Sequence, residues 1–381
     1  MKVIGSSLKA VAAALIVAGG LLAPGHVAAA PSACSFTPTA VPTSVGYSAA
    51  QKASPFATTA PANHVGVLDG FSRISEAVRQ QNLANAIAIN VTSSPAVARY
   101  AVNDNYDIEG PAIFNALGSK LSPAFYAALR AGQLPKTAAL LLGEDALVGE
   151  RVGTSKEKKY FHNPRPFEVA PQLIRHYGDG RKDLYEAVRG TGSYPSGHTT
   201  WGFAQAFLIA SMIPEAGPQL LARAAEYGYH RVVLGVHYPL DVVGGRMQAE
   251  STVAQVLSDS TFAGLLAEAK KELRAVLTAR VGAPIARAVA CQTPYQSTGD
   301  ALKSYRERAT YSFVAEGNTT RVLAVPAGAE NLIRAAHPNM STGQLRQLLA
   351  RTALPAGYPL DKTGYDGGWQ RLDIAKAWLA H

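Results

Sequence analysis

A mainly α-helical bundle with a small α+β segment at its C-terminal end is the fold class this sequence predicts. Three observations carry it. From about Val67 to Leu277, apolar residues recur at three- and four-residue spacing, the helical period. Strand-like alternation is scarce over the same stretch. Prolines fall at the ends of the apolar runs, at Pro123, Pro214 and Pro239, where they start or stop helices.

Taken in order, Ile74, Ala77, Val78 and Leu83 suggest a first helix, and a second stretch begins at Ala112–Leu117. Ser122-Pro123 has the form of an N-cap followed by proline, leading into Phe125, Ala128 and Leu129. Thr137 to Val152 carries Leu140, Leu141, Ala146, Leu147 and Val148 near one face and predicts a single helix. Phe203, Ala206, Phe207, Ala210 and Ile213 mark the next, ended by Pro214. Gln219–Val233, Leu240–Leu257 and Phe262–Leu277 complete the bundle. Beyond Gly282 the character changes. Tyr311–Ala315 and Thr320–Val325 flank Glu316-Gly317-Asn318 and predict a β-hairpin. Two short helices follow, near 329–336 and 342–352, the second introduced by Ser341 and Gln344 as a capping box.

Residues 1–29 read as a secretory leader. Lys2 and Lys9 precede an apolar stretch from Ala10 to Leu22, and Val27-Ala28-Ala29 offers small residues for cleavage after Ala29. That stretch is short for a membrane anchor, and no later run is long enough to span a bilayer. The expectation is a secreted or periplasmic protein without integral membrane association. Residues 30–65, rich in Pro, Ser and Ala, read as an extended surface segment. Residues 66–285 form the helical domain, and 286–381 an accessory α+β segment. Cys34 and Cys291 are the two cysteines of the chain, and in an exported protein they predict one disulfide. Lipidation of Cys34 is the alternative, disfavoured by Pro31.

The 381 residues are 48% hydrophobic and 17% charged, enough to bury a sizeable core. The formal net charge of +9 suits anionic substrates or surfaces. Nucleic acid is not the expected partner, because no long Lys/Arg block or aromatic–basic repeat occurs. Composition and patterning leave the oligomeric state open.

Three groups of residues carry candidate chemistry. Gly192-Ser193-Tyr194-Pro195-Ser196-Gly197-His198-Thr199 combines turn residues with a helix start, which makes an anion site from unpaired N–H groups. Ser196 suits the N-cap, Gly197 admits a ligand to the backbone, and His198 stands at the mouth. Lys158 and Arg165-Pro166 form the second group. Arginine presents a fork of donors that fits phosphate oxygens, and lysine a compact charge. The third group is Arg231, His237 and Asp241. Asp241, four residues after His237 near a helix start, would fix the histidine tautomer. Each cation alone reads as a solvated surface charge, and an isolated H-x-x-x-D reads as a helix staple.

The joint pattern is more specific. Lys158, Arg165-Pro166, Pro195-Ser196-Gly197-His198, Arg231, His237 and Asp241 resemble the tripartite signature of the type 2 phosphatidic acid phosphatase superfamily. The run from Gly192 to Thr199 is most similar to the secreted bacterial class A nonspecific acid phosphatases. The resemblance implies a phosphatidic acid phosphatase type 2/haloperoxidase-like helical core. It implies an acid phosphatase acting on small phosphomonoesters without a metal or other cofactor. In that scheme His237 is the nucleophile, forming a phosphohistidine; Asp241 orients it, and His198 is the general acid. Lys158, Arg165, Arg231, Ser196 and Gly197 bind the phosphoryl oxygens. The alternative is a vanadium-dependent haloperoxidase that holds vanadate in the same cradle. His230 departs from the pattern, standing where the family usually has Ser. It reads as a helix residue, with an added phosphate contact as the alternative.

A serine hydrolase is excluded by pattern, because Tyr194 occupies the position where a nucleophile elbow needs glycine. A metallohydrolase built on His198, His237 and Asp241 leaves the three cations without a purpose.

Overall fold

The computed structural model describes residues 34–108, 110–143 and 145–380. The leader and its cleavage after Ala29 lie outside the described residues. The architecture below belongs to the unit Phe36–His381. In chain order the helices used here are α1 (Glu76–Thr92), α2 (Pro95–Asn105), α3 (Leu121–Arg130), α4 (Pro135–Leu141) and α5 (Ser155–Phe161). They continue with α6 (Gly197–Met212), α7 (Gly217–Val233), α8 (Pro239–Ser258) and α9 (Ser260–Val281). The last are α10 (Ile285–Ala290), α11 (Thr298–Thr310), α12 (Thr342–Thr352) and α13 (Ile374–Leu379).

Side-chain caps define several helix starts. Ser75, Ser94 and Asp259 accept from the amides of Val78, Val97 and Phe262, each satisfying an orphan donor of the first turn. Helix α6 is apolar nearly all round and buried along most of its length, as a central helix must be. Helices α7 and α8 pack on it, α7 also meets α2 and α11, and α9 lies across α3, α4 and α6. The expected bundle is therefore present, and among the described residues there is no β-strand. Nor, among the described residues, is any helix long and apolar enough to cross a membrane. Cys34 and Cys291 are both disulfide-bonded.

Four local expectations are corrected. The predicted hairpin at 311–325 is absent, so the C-terminal segment is helical and irregular rather than α+β. Its apolar residues Val314 and Val322 face solvent, and its backbone bonds to another loop. Glu316 N donates to Gly357 O and Ala356 N to Thr319 O. The single helix over Thr137–Val152 is instead α4, a break, and a 3-10 turn over Gly149–Val152. Gly143 takes a left-handed φ of 84°, and the chain folds back so that Leu147 N reaches Ala139 O. Ser122 lies inside α3 rather than capping it, with its hydroxyl on Phe114 O and Asn115 O. The helix expected near 329–336 is only a 3-10 turn, Ala329–Leu332. The capping box at Ser341 and Gln344 is present.

Residues 36–65, expected as an extended surface segment, are also less peripheral than that. They form short helical turns and bury Tyr47 and Phe56 in the main core. Tyr47 donates to Leu265 O, and the Phe56 ring lies 4.7 Å from that of Phe262. At the other end, Arg246 of α8 donates to the carbonyls of Gln370 and Leu372 at 2.8 and 3.1 Å. Trp378 donates to Pro214 O, so the C-terminal segment is fastened to the bundle.

If Phe56 is a core residue, Phe56→Ala should destabilise the protein by about 3–5 kcal/mol in urea unfolding, the usual cost of truncating a buried aromatic. A loss under about 1 kcal/mol would mean that the segment is a surface wrapping.

Candidate active site

Helix α5 ends at Phe161 because His162 turns into the left-handed region, φ 48°. The chain then runs through Asn163-Pro164-Arg165-Pro166. Arg165 precedes a proline and is extended (φ −83°, ψ 154°), the conformation such a position favours. Asn163 ties this run to the next motif, donating its side-chain amide to Ser193 Oγ and accepting from Ser193 N, both at 2.8 Å. The motif itself is anchored by Tyr194. Its ring is buried and stacked on Phe71 at 4.0 Å, and the Tyr194–Pro195 peptide is cis.

Ser196 is the N-cap of α6, as expected. Its hydroxyl accepts from Thr199 N and Thr199 Oγ1, which leaves its own hydrogen as the one donor. Its amide is spent on Asp241 O at 2.9 Å, so only the hydroxyl is left to serve an anion. Gly197 begins α6 with an amide that has no intrahelical acceptor. Close packing holds the loop against α8: a Cβ on Gly245 would stand 2.6 Å from Ser196 O, a contact no side chain could tolerate.

Between α7 and α8 the chain turns at Gly235 (φ 68°) and presents His237. Tyr238 caps α8, Pro239 takes its first position, and Asp241 Oδ2 accepts from Tyr238 N at 2.9 Å. The same oxygen lies 3.2 Å from His237 Nδ1. On the other side of the ring, His237 Nε2 lies 3.2 Å from Arg165 Nη1. A guanidinium only donates, so Nε2 accepts and the hydrogen resides on Nδ1, facing the carboxylate. The ring is thereby fixed with its lone pair on Nε2, facing Arg165.

Backbone carbonyls hold the cations. Arg165 is 3% exposed and donates to the carbonyls of Val188, Thr191, Gly192 and Val236 and to Thr191 Oγ1. Lys158 Nζ donates to Gly192 O at 2.6 Å and Ser193 O at 3.3 Å. Arg231 on α7 is 1% exposed and donates from Nη1 to Asn105 Oδ1 at 2.7 Å, while its Nε has no partner among the described residues. Half-buried His198 donates Nε2–H to Asn105 O at 3.0 Å, since a carbonyl only accepts. Among the described residues, no group of three or more His, Cys, Asp or Glu is placed to hold a metal ion.

The site is short of negative charge. Burial, then Arg165 and Arg231, push Lys158 down to about 7. Burial and neighbouring cations hold His198 and His237 well below the usual imidazole range. Arg165 and Arg231 are lowered to about 10, mainly by burial. Asp241 is raised by burial, against the pull of the Tyr238 amide and Lys158.

All eight predicted site residues therefore meet at the shared ends of α5, α6, α7 and α8. The sequence reading missed Asn105, which touches both His198 and Arg231. It also missed the carbonyls of residues 188–193. His230 is buried on α7, and its Nδ1 lies 2.6 Å from Asp104 Oδ2.

Residues 138–262, which supply every one of the eight, match the PAP2 superfamily. The chain is similar to a non-specific acid phosphatase of Salmonella typhimurium (strain LT2), 32% identical over 126 residues, 33% of this chain and 48% of the relative. An acid phosphatase of Zymomonas mobilis subsp. mobilis is 34% identical over 146 residues, 38% and 53% of the two chains. A non-specific acid phosphatase of Providencia stuartii is 35% identical over 129 residues, 34% and 49%. The chain thus spans about half the length of these relatives.

A bound dianion should raise the pKa of Lys158 and of His198, since it supplies the charge that each now lacks. Binding of inorganic phosphate at pH 8 should therefore take up protons. Calorimetry in buffers of different ionisation enthalpy measures this, and proton release would contradict the charge reading.

Proposed function

We propose that the PAP2 domain of this chain is a phosphoric monoester hydrolase that works through a phosphohistidine at His237. The observation that carries the reading is the His237 ring, with Nδ1 on Asp241 and the Nε2 lone pair held against Arg165, beside buried Arg231 and half-buried Lys158. That arrangement suits in-line attack on a tetrahedral dianion. The names of the relatives, acid phosphatases, favour small phosphomonoesters as the substrate class.

In the first step His237 Nε2 attacks phosphorus, the P–N bond forms and the P–O bond to the leaving group breaks. The leaving oxygen takes a proton from Nδ1 of doubly protonated His198, because Nε2–H is committed to Asn105. Asp241 offsets the positive charge that develops on His237. Lys158, Arg165, Arg231, the Gly197 amide and the Ser196 hydroxyl bind the three equatorial oxygens, where phosphoryl transfer concentrates charge. In the second step neutral His198 accepts a proton from water as the water oxygen attacks phosphorus. The P–N bond breaks, which frees His237 and phosphate. The fixed cations supply the charge stabilisation that metal ions give other phosphatases, so the proposed reaction is metal-independent. Export through residues 1–29 belongs to the same proposal.

His237→Ala should fold and release no phosphate from an aryl phosphate above background, and orthovanadate should inhibit the native enzyme. Phosphate release by the folded variant sinks the assignment. So does halide oxidation by peroxide after vanadate loading, if phosphate release is absent. The pH profile has a defined sign. His198 must be protonated in the first step, and bound substrate raises its pKa. Activity should fall as pH rises, with the descending limb of kcat at higher pH than that of kcat/KM, because kcat reports the substrate complex. A kcat limb at or below that of kcat/KM would contradict the scheme.

A further inference from the structure

We infer that Asn105 is a positioning residue for both the general acid and one phosphate-binding arginine, and that the buried Asp104–His230–Arg223 cluster holds it in register. The inference rests on the phosphatase reading of the site and extends it to Asp104 and Asn105, outside the matched segment 138–262.

Asn105 is the last residue of α2. The final carbonyls of a helix have no intrahelical partner, so Asn105 O is available to the His198 ring at 3.0 Å. Its side-chain Oδ1 takes the Arg231 guanidinium at 2.7 Å. One residue thus sets the ring nitrogen that His198 uses for proton transfer and the direction of the Arg231 fork. The negative end of the α2 dipole faces the same two groups and opposes the cations that disfavour a protonated His198.

The neighbouring residue fixes this end of α2. Asp104 is 2% exposed and accepts from His230 Nδ1 and Arg223 Nη2, both at 2.6 Å. Arg223 also donates to Asn115 Oδ1 at 3.0 Å and lies over the rings of Tyr100 and Tyr227. Tyr227 in turn lies alongside the His198 ring, with centroids 6.2 Å apart. The pairing runs residue for residue: His230 and Arg231 on α7 meet Asp104 and Asn105 on α2. A one-residue slip between the helices would break both bonds. His230 therefore has a task of its own in this chain, which is to bridge α7 to Asp104.

The experiment measures kcat and KM for a series of phosphate esters of rising leaving-group pKa, with phosphate affinity by calorimetry, on the full mature chain. The variants are Asn105→Ala, His230→Ala and His230→Gln. Asn105→Ala removes the acceptor for Arg231 and keeps the carbonyl for His198, so it should raise KM and weaken phosphate binding, with a similar loss of kcat across the series. His230→Ala frees the end of α2 that carries the carbonyl, so it should lower kcat up to about 10²-fold for the poorest leaving group, the scale of a 1 Å misplacement, and much less for the best, which needs no acid. His230→Gln keeps a donor for Asp104 and should restore part of the rate on the poorest ester. Unchanged KM and phosphate affinity in folded Asn105→Ala, or a loss in folded His230→Ala that is equal across the series or absent, overturns the inference. Should one of these two not fold, the other decides. A wild-type chain that binds phosphate and hydrolyses none of the esters sinks the phosphatase reading instead. Phosphate affinity in Asn105→Ala then still decides, and an unchanged value overturns the positioning role.

Discussion

Two buried arginines and a half-buried lysine surround one histidine, and the nearest compensation is largely carbonyl oxygen. Removing a charge from water costs several kcal/mol per ion unless the group is well paired. Lys158 and Arg165 are held by the carbonyls of Val188, Thr191, Gly192, Ser193 and Val236, and Arg231 by Asn105. Dipoles of this kind satisfy donors without neutralising charge. The site is left with a standing demand for an anion, visible in the lowered Lys158, His198 and His237. Affinity for a dianion and activation of the histidine have this common source.

The rest of the fold serves to keep those charges in place. The apolar central helix α6 directs its N-terminus at the site, which adds unpaired amides and a favourable dipole. Helix α8 supplies Asp241 in its first turn, where the same carboxylate both caps Tyr238 and orients His237. The Ser196–Asp241 backbone bond and the close approach at Gly245 join the two helix starts into one rigid corner. The C-terminal segment grips α8 further along, through Arg246. Positioning of this kind lets static groups do work that would otherwise require reorganisation during the reaction.

The most legible part of the sequence was the set of side chains at short spacing that the structure brings together. Lys158, Arg165, Ser196, Gly197, His198, Arg231, His237 and Asp241 could all be named, because charge, turn chemistry and helix caps leave a local signature. Asn105 could not be named. Half of its contact is a backbone carbonyl, which any residue provides, and its partners lie far along the chain. The carbonyl cage of residues 188–193 is invisible for the same reason. Asp104 and His230 were illegible as a pair, although the departure at His230 was a clue that its surroundings differ. The missing hairpin shows the opposite error. Alternating apolar residues at 311–325 suggested pairing, yet Val314 and Val322 have no core to cover and the backbone bonds to residues 356–357 instead. Patterning alone does not fix a strand when no partner face is present.

The account stands on the identity of the attacking atom. Phosphohistidine is labile in acid and survives in base. The most direct measurement mixes enzyme with an aryl phosphate, quenches into alkali within a turnover and maps the phosphorylated peptide by mass spectrometry. The account predicts phosphate on Nε2 of His237, formed in the native protein and lost on a chase with water. Label on His198, or on a serine such as Ser196, or turnover with no covalent phosphate at any quench time, would contradict it.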